Sequence, residues 1–290
     1  MSPHRLHLEQ AKYLPVVEAV MHQAGLNVAR DRWDIRKNGS AHFIVNMGGE
    51  LSIRVAKTPE IGSKVARRTE LLRRLPYNLP FNVPRPITRT ITRNGVTAVG
   101  LRWIKGEPRN PGPASPKALA HMLKALHSID YTGMAPYLDS PHQHWGGDDW
   151  VATLQERVVP QLLRTNQKIA HAVIDQVLDL EPVHPKLIHN DLAGHNILWS
   201  GEKLVGVIDW DHCTIADPAY DYATLGNWYG WDSLKKALTE TEIHRAQVLS
   251  RLLALESVAY SMHNGMGGAI VRLALERADN WLMDHKSEVI

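Results

Sequence analysis

The stretch from Leu187 to His212, LIHNDLAGHNILWSGEKLVGVIDWDH, sets charged and metal-capable side chains between short apolar runs. His189, Asp191, His195, Asn196, Asp209 and Asp211 are interleaved with Leu-Ile, Ile-Leu-Trp and Val-Gly-Val-Ile. A solvated surface has no need of the apolar runs, and a plain core does not tolerate the carboxylates. The pattern reads as charged groups held at the ends of buried strands, a common setting for catalytic and metal sites.

The rest of the chain divides around this stretch. Residues 7–24 read as an amphipathic helix. Three strand-like runs follow, near Arg32–Arg36, over His42–Met47 and over Glu50–Ala56, with KNGS and Gly48-Gly49 as the turns between them. A helix is expected over about Ile61–Leu75. LPFNVPRPI is too rich in proline for a helix and reads as an extended connection. A second hairpin follows, with Asn94-Gly95 at its tip. IKGEPRNPGPASP, residues 104–116, then reads as a hinge. Beyond it helices dominate, at about 117–128, 149–165, 168–179, 219–229, 241–261 and 267–285. The expected class is α+β: a small antiparallel-sheet lobe over residues 1–103, the hinge over 104–116, and a larger, mainly helical lobe over 117–290. Clefts between lobes are preferred ligand sites.

Charge follows the same division. The first hundred residues hold 16 Lys+Arg against 7 Asp+Glu, and residues 211–290 hold 7 against 11. One basic and one acidic wall fit a cleft that holds an anion on one side and a cation on the other. There is no basic stripe interleaved with aromatics, which argues against nucleic acid as a partner. No run is long enough to span a bilayer, and the opening MSPHRLHLEQAKYLPVVEAVMHQAGL lacks the uninterrupted apolar core and small-residue cleavage site expected of a signal peptide. Cys213 is the single cysteine, which excludes an internal disulfide; the expected location is a reducing cytoplasm. A lone cysteine most often serves as a small buried hydrophobe.

A loop that leaves the strand LIH and enters the strand NILW can aim Asp191 and Asn196 into one pocket. Asp191 could then accept a proton from a substrate hydroxyl as a general base. Asn196 offers a neutral oxygen to a hard cation, and Asp209, at the end of LVGVID, offers a charged one. Magnesium is typically held by one or two carboxylates together with phosphate oxygens. Base, amide and carboxylate in that order form the machinery of phosphoryl transfer from a nucleotide.

His189-x-Asp191, Asn196 five residues on, Ile208-Asp209-Trp210 and Asp217-Pro218-Ala219-x-Asp221 together resemble the aminoglycoside phosphotransferase family, which has the two-lobed protein-kinase-like fold. LLRRLPYNLPFNVPRPI, LRWIKGEP and LAHMLKALHSI are similar to the family's connector, hinge and first large-lobe helix, so the resemblance covers most of residues 30–225. It implies that Asp191 is the catalytic base, that His189 supports its loop, and that Asn196 and Asp209 bind Mg²⁺. It also implies that Asp217 and Asp221 hold the start of the following helix. The donor would be ATP or GTP. KNGSAH, with Ser40, lies where the family's phosphate-covering loop lies. Arg54 aligns with the family's phosphate-facing cation and Glu70 with its ion-pair partner; Lys57, three residues on, is the rival to Arg54. Trp103 and Ile104 would present hinge backbone groups to the base. The family usually has glycine between the His and Asp of the catalytic loop, whereas this chain has Asn190, a position where protein kinases carry a larger residue. His195 is expected to pack the loop, and Asp211 either faces the cleft or is solvated.

The implied acceptor is a hydroxyl on a small molecule. The acidic stretch after Asp217, with Asp232, Glu240, Glu242, Glu256, Asp279 and Asp284, suits a cationic antibiotic such as an aminoglycoside. VIDWDHCTIADPAYDYATLGNWYGW also looks similar to phosphotransferases acting on cyclic peptide antibiotics. The aromatics Trp228, Trp231, Trp281, Tyr220, Tyr222, Tyr229 and Tyr260 would suit a bulkier acceptor such as a macrolide, although core packing accounts for most of them. Two further alternatives are a metabolic kinase for choline, homoserine or a sugar, and a catalytically dead binding module. The last expects loss of a base or metal ligand, and Asp191, Asn196 and Asp209 are all present.

Overall fold

The structure, a computed structural model, describes residues 12–36 and 41–290. In chain order the elements are α1 (Leu14–Gln23), β1 (Trp33–Arg36), β2 (His42–Met47), β3 (Leu51–Ala56), α2 (Pro59–Arg74), β4 (Ile91–Arg93), β5 (Val96–Arg102), β6 (Glu107–Pro108) and α3 (Pro116–Leu126). Next come α4 (Trp150–Ala152), α5 (Arg164–Leu178), β7 (Lys186–Ile188), β8 (Ile197–Ser200), β9 (Lys203–Val207) and β10 (Thr214–Ala216). The chain ends with α6 (Ala219–Tyr229), α7 (Trp231–Lys235), α8 (Glu240–His263), α9 (Gly268–Asp284) and α10 (Lys286–Val289).

The chain forms two compact units. The first gathers the chain up to Arg109 with Ile129–Leu138 and Gly194–Asp211; the second holds Asn110–Ser128, Asp139–Ala193 and His212–Ile290. The stretch read as a hinge therefore begins inside the first unit, where β6 pairs with β8 through Glu107↔Trp199 and Pro108↔Leu198.

The first unit is built on an antiparallel sheet in the order β1-β2-β3-β5-β4. Its turns follow from their residues. Gly48 and Gly49 both lie at positive φ, and the Gly49 amide donates to Asn46 Oδ1 at 2.9 Å. Asn94 and Gly95 both take positive φ, as a tight two-residue hairpin requires. Thr58 caps α2 by accepting from the Ile61 amide, with Pro59 in the first turn. Val45, Met47, Leu51, Ile53, Val55 and Ala98 of the sheet form a core with Val16, Val17 and Val20 of α1. A smaller sheet in the order β6-β8-β9 carries the residues before Asp209.

The second unit is helical except for the pair β7 and β10, with Thr214↔Ile188 and Ile215↔Leu187 in register. Helix α8 starts at a capping box formed by Thr239 and Glu242. The helix expected over 149–165 is instead the short α4, a π turn over Thr153–Val158 and a 3₁₀ turn over Val159–Gln161. Pro160 explains the break, because it has no amide to donate into a continuing helix. The first strand, β1, starts at Trp33, and the described part of the first helix starts at Leu14. Among the described residues no helix is long and apolar enough to cross a membrane.

Candidate active site

In the second unit, the loop after β7 is fixed by Asp221. This carboxylate is fully buried near the start of α6. It accepts from the His189 amide at 3.0 Å and the Asn190 amide at 2.9 Å, while His127 Nε2 lies 3.0 Å away. A buried carboxylate with several such partners is well compensated for lost water. His127 comes from the end of α3, and its Nδ1 lies 3.2 Å from the Tyr222 hydroxyl. The two amides immediately before Asp191 are therefore tied to one side chain. Asp191 follows, partly exposed, and His189 is fully buried.

The departure at Asn190 has a backbone explanation. Asn190 sits at φ 61°, in the left-handed region that favours glycine and that asparagine enters more readily than other side chains. Asn190→Gly is expected to keep the loop and its turnover. Asn190→Val is expected to cost about 1–3 kcal/mol and to lower turnover; thermal melts and product formation by each variant check both.

In the first unit, Asn196 and Asp209 come from adjoining backbone: the Ile208 amide donates to the Asn196 carbonyl at 2.9 Å. Asp209 does not end its strand as expected. β9 stops at Val207, and Asp209 lies two residues beyond, at φ 60°, where the chain turns out of the extended conformation. Its carboxylate accepts from Arg54 Nη2 at 2.9 Å. Arg54, on β3, also makes a fork with Asp211, at 2.6 Å from Nη1 and 2.7 Å from Nη2. Arg68 of α2 adds a third contact to Asp211 at 2.6 Å. His42 Nδ1 lies 3.9 Å from the same carboxylate.

This cluster is charged and largely dry. Burial raises the energy of ionised Asp211, but Arg54 and then Arg68 outweigh it and hold the carboxyl below the ordinary aspartate range. Burial likewise opposes the Arg54 charge, and Asp211 and then Asp209 outweigh it, so the guanidinium stays protonated. His42 is held neutral, its pKa lowered to about 3 first by burial and then by Arg54.

The structure moves several sequence-derived assignments. Ser40 and the KNGS turn lie outside the described residues. Glu70 is not the carboxylate that meets Arg54: it pairs with Arg73 at 3.4 Å and Arg74 at 3.9 Å on the exposed face of its own helix. Arginines three and four positions away are its nearest helical neighbours, and Arg54 finds Asp211 and Asp209 instead. Lys57 lies just past the end of β3, where its amide donates to the Ala41 carbonyl. Trp103 donates its amide to Glu50 and stacks near Arg36, and Ile104 is buried. His195 is exposed. Cys213 is buried, and burial pushes its thiol well above the ordinary range, as expected of a small hydrophobe rather than a nucleophile. Asp217 does hold the start of α6, accepting from the Ala219 amide at 2.9 Å and from Arg245 at 2.6 Å. Asp221 instead holds the loop that leads into Asp191. Arg68, His42 and His127 were missed because their partners lie about a hundred residues or more away and leave no local spacing signal.

The sheet-rich unit bears Arg54, Asn196 and Asp209 and the helical unit bears the Asp191 loop, and the fold is kinase-like, as in solved phosphotransferases. The chain belongs to the phosphotransferase enzyme family, whose model matches residues 46–253. It is 24% identical over 137 residues to viomycin phosphotransferase of Streptomyces vinaceus, an alignment covering 44% of this chain and 47% of that protein. The chain thus spans about half the length of this curated relative. Among solved structures it resembles the GDP complex of aminoglycoside 2′-phosphotransferase-IIIa, with a TM-score of 0.78 and 17% identity, covering 94% of this chain and 99% of that one. It also resembles macrolide 2′-phosphotransferase type I, with a TM-score of 0.70 and 20% identity, covering 91% and 96%. At these identities the likeness to solved structures is one of fold.

Proposed function

We propose that the protein transfers the γ-phosphate of ATP or GTP, with Mg²⁺, to a hydroxyl of a small cationic antibiotic and so inactivates it in the cytoplasm. The observation that carries this reading is the pair of amides held by Asp221, which fixes the backbone leading into Asp191 as a positioned general base requires. Asp191 would take the proton of the acceptor hydroxyl as it attacks. Asn196 and Asp209 are hard oxygen donors on adjoining backbone, a set that fits Mg²⁺, and these residues would hold it. When bound, the cation would neutralise charge on the phosphates. Arg54 would face those phosphates, and the backbone at Trp103 and Ile104 would meet the nucleotide base. The acidic charge after Asp217 and the curated relative named for viomycin support a cationic acceptor.

The test is incubation of the protein with Mg²⁺ and either nucleotide across aminoglycosides, cyclic basic peptides, macrolides and hydroxylated metabolites, with mass spectrometry for a gain of one phosphate. One phosphorylated antibiotic class is expected. A phosphorylated metabolite alone would move the enzyme to metabolism, and no product from any acceptor would remove the activity.

Arg54→Ala is expected to raise the nucleotide KM about tenfold or more, the scale of one charge-assisted contact, and Lys57→Ala to raise it less. Steady-state kinetics with varied nucleotide would reverse the assignment if Lys57 proved the more sensitive.

A further inference from the structure

Arg54 lies in the middle of the five-stranded sheet of the first unit. It is paired with Ile44 of β2 on one side and Val99 of β5 on the other, so its backbone is held from both sides. Its neighbours Ile53 and Val55 are fully buried in the core shared with α1. Alternation along β3 therefore turns Arg54 to the opposite face. What such a residue has left to fix is its long side chain. A ligand that must itself order that side chain binds less tightly than one that meets it already ordered.

Three carboxylates stand as candidates for that ordering, and the structure separates them. Glu70 is held by Arg73 and Arg74. Asp209 makes one contact, 2.9 Å from Arg54 Nη2, and is exposed. Asp211 makes two, to Nη1 at 2.6 Å and to Nη2 at 2.7 Å, and is buried. A fork of this kind sets both the plane and the direction of the guanidinium, which one contact does not. It uses one N–H of each terminal nitrogen and leaves further donors for a ligand.

Asp211 is itself braced. It lies in a 3₁₀ turn, Trp210–His212, where the Trp210 indole donates to the Val207 carbonyl at 3.0 Å. Arg68 Nη1 donates to Asp211 Oδ2 at 2.6 Å. Helix α2, which carries Arg68, is tied to the segment before Asp139 of the same unit: Arg67 donates to the Leu138 carbonyl at 2.7 Å and Arg74 to the Tyr137 hydroxyl at 2.9 Å. Helix and strand are thus joined through a basic side chain, an acid and a second basic side chain. We infer that Asp211, braced by Arg68, is the residue that orients Arg54 for the nucleotide phosphates, an assignment that rests on the phosphotransferase reading for what Arg54 meets. Asp211 and Arg68 are then positioning residues, acting on the nucleotide only through Arg54.

The experiment measures binding of ATP and of GTP, each with Mg²⁺, to the full chain by calorimetry. Asp211→Asn, Arg68→Met, Arg68→Lys and Glu70→Gln are compared with the wild type, and the first two are also combined with Arg54→Ala. Thermal melts confirm that each variant is folded at the temperature used. Asp211→Asn is expected to weaken nucleotide binding about fivefold or more and Arg68→Met about threefold, with part of the loss recovered in Arg68→Lys. Glu70→Gln should bind as the wild type does. In the Arg54→Ala background neither Asp211→Asn nor Arg68→Met should weaken binding further, because the side chain they act through is gone. A role in stability alone would not give that coupling: losses of equal size with and without Arg54 would overturn the assignment. So would a loss in Glu70→Gln as large as that in Asp211→Asn. If Asp211→Asn does not fold, Arg68→Met with and without Arg54 makes the same comparison. Coupled losses of nucleotide binding with no phosphorylated product from any acceptor would keep the positioning role and remove the phosphotransferase reading. A phosphorylated product from a protein whose nucleotide binding ignores Asp211→Asn and Arg68→Met would do the reverse.

Discussion

Asp191→Ala is expected to lower phosphoryl transfer about 10²–10⁴-fold while leaving nucleotide affinity within about twofold of the wild type. The expectation follows from where the loop takes its support. The His189 and Asn190 amides are fixed by Asp221, and Asp221 is fixed in turn by His127, so the loop backbone does not depend on the Asp191 side chain for those bonds. Truncating Asp191 would therefore remove the proposed proton acceptor from a frame that persists. Arg54, Asn196 and Asp209, which would meet the nucleotide, belong to the other unit. Asp191→Asn sharpens the test, since it preserves size and hydrogen bonding but takes no proton at neutral pH. Both variants are expected to fall together in kcat, read from product by mass spectrometry, with nucleotide binding read by calorimetry. Asp191→Asn at wild-type turnover would take Asp191 out of the base role.

What the sequence discloses depends on how far apart the cooperating residues lie. His42–Met47 is legible because alternation, flanking turn residues and length all agree, and the strand has those bounds. The Asn94-Gly95 hairpin is legible because only a few residue pairs accept two successive positive φ values. The order His189, Asp191, Asn196, Asp209 is legible because the chemistry sits within one short stretch. Arg68 and Arg54 meet Asp211 across sequence gaps of 143 and 157 residues, and periodicity carries no trace of such gaps. Glu70 is the instructive error. The family resemblance makes it the ion-pair partner of Arg54, yet Arg73 and Arg74 lie one turn away on its own helix and bind it there. Asn190 shows the converse: a departure from a family pattern becomes intelligible once the backbone angle it must adopt is known.

Asp211→Ala is expected to destabilise the protein by about 3–5 kcal/mol at neutral pH, a fall of roughly 10 °C in Tm. Asp211 is the shared counter-ion of two arginines. Its side chain is 7% exposed, with Arg54 at 13% and Arg68 at 11%, so solvent screens the cluster poorly. Alanine leaves two guanidinium groups sharing one buried space, with Asp209 as the remaining carboxylate on Arg54 and its own side chain 46% exposed. The cost arises from stranding charge rather than from losing one contact, which gives the prediction an internal control. Arg68→Met combined with Asp211→Ala should cost less than the sum of the single changes, because the second replacement removes part of the charge that the first has stranded. The pH dependence has a definite sign. Asp211 has a folded pKa below its ordinary value, so its stabilisation is full above about pH 4 and is lost as pH falls through the folded pKa. Asp211→Ala should therefore show a flatter acid limb than the wild type in thermal melts between neutral pH and pH 2. Additive single-variant effects, or an acid limb of unchanged slope, would mean that Asp211 is not the counter-ion on which these two arginines depend.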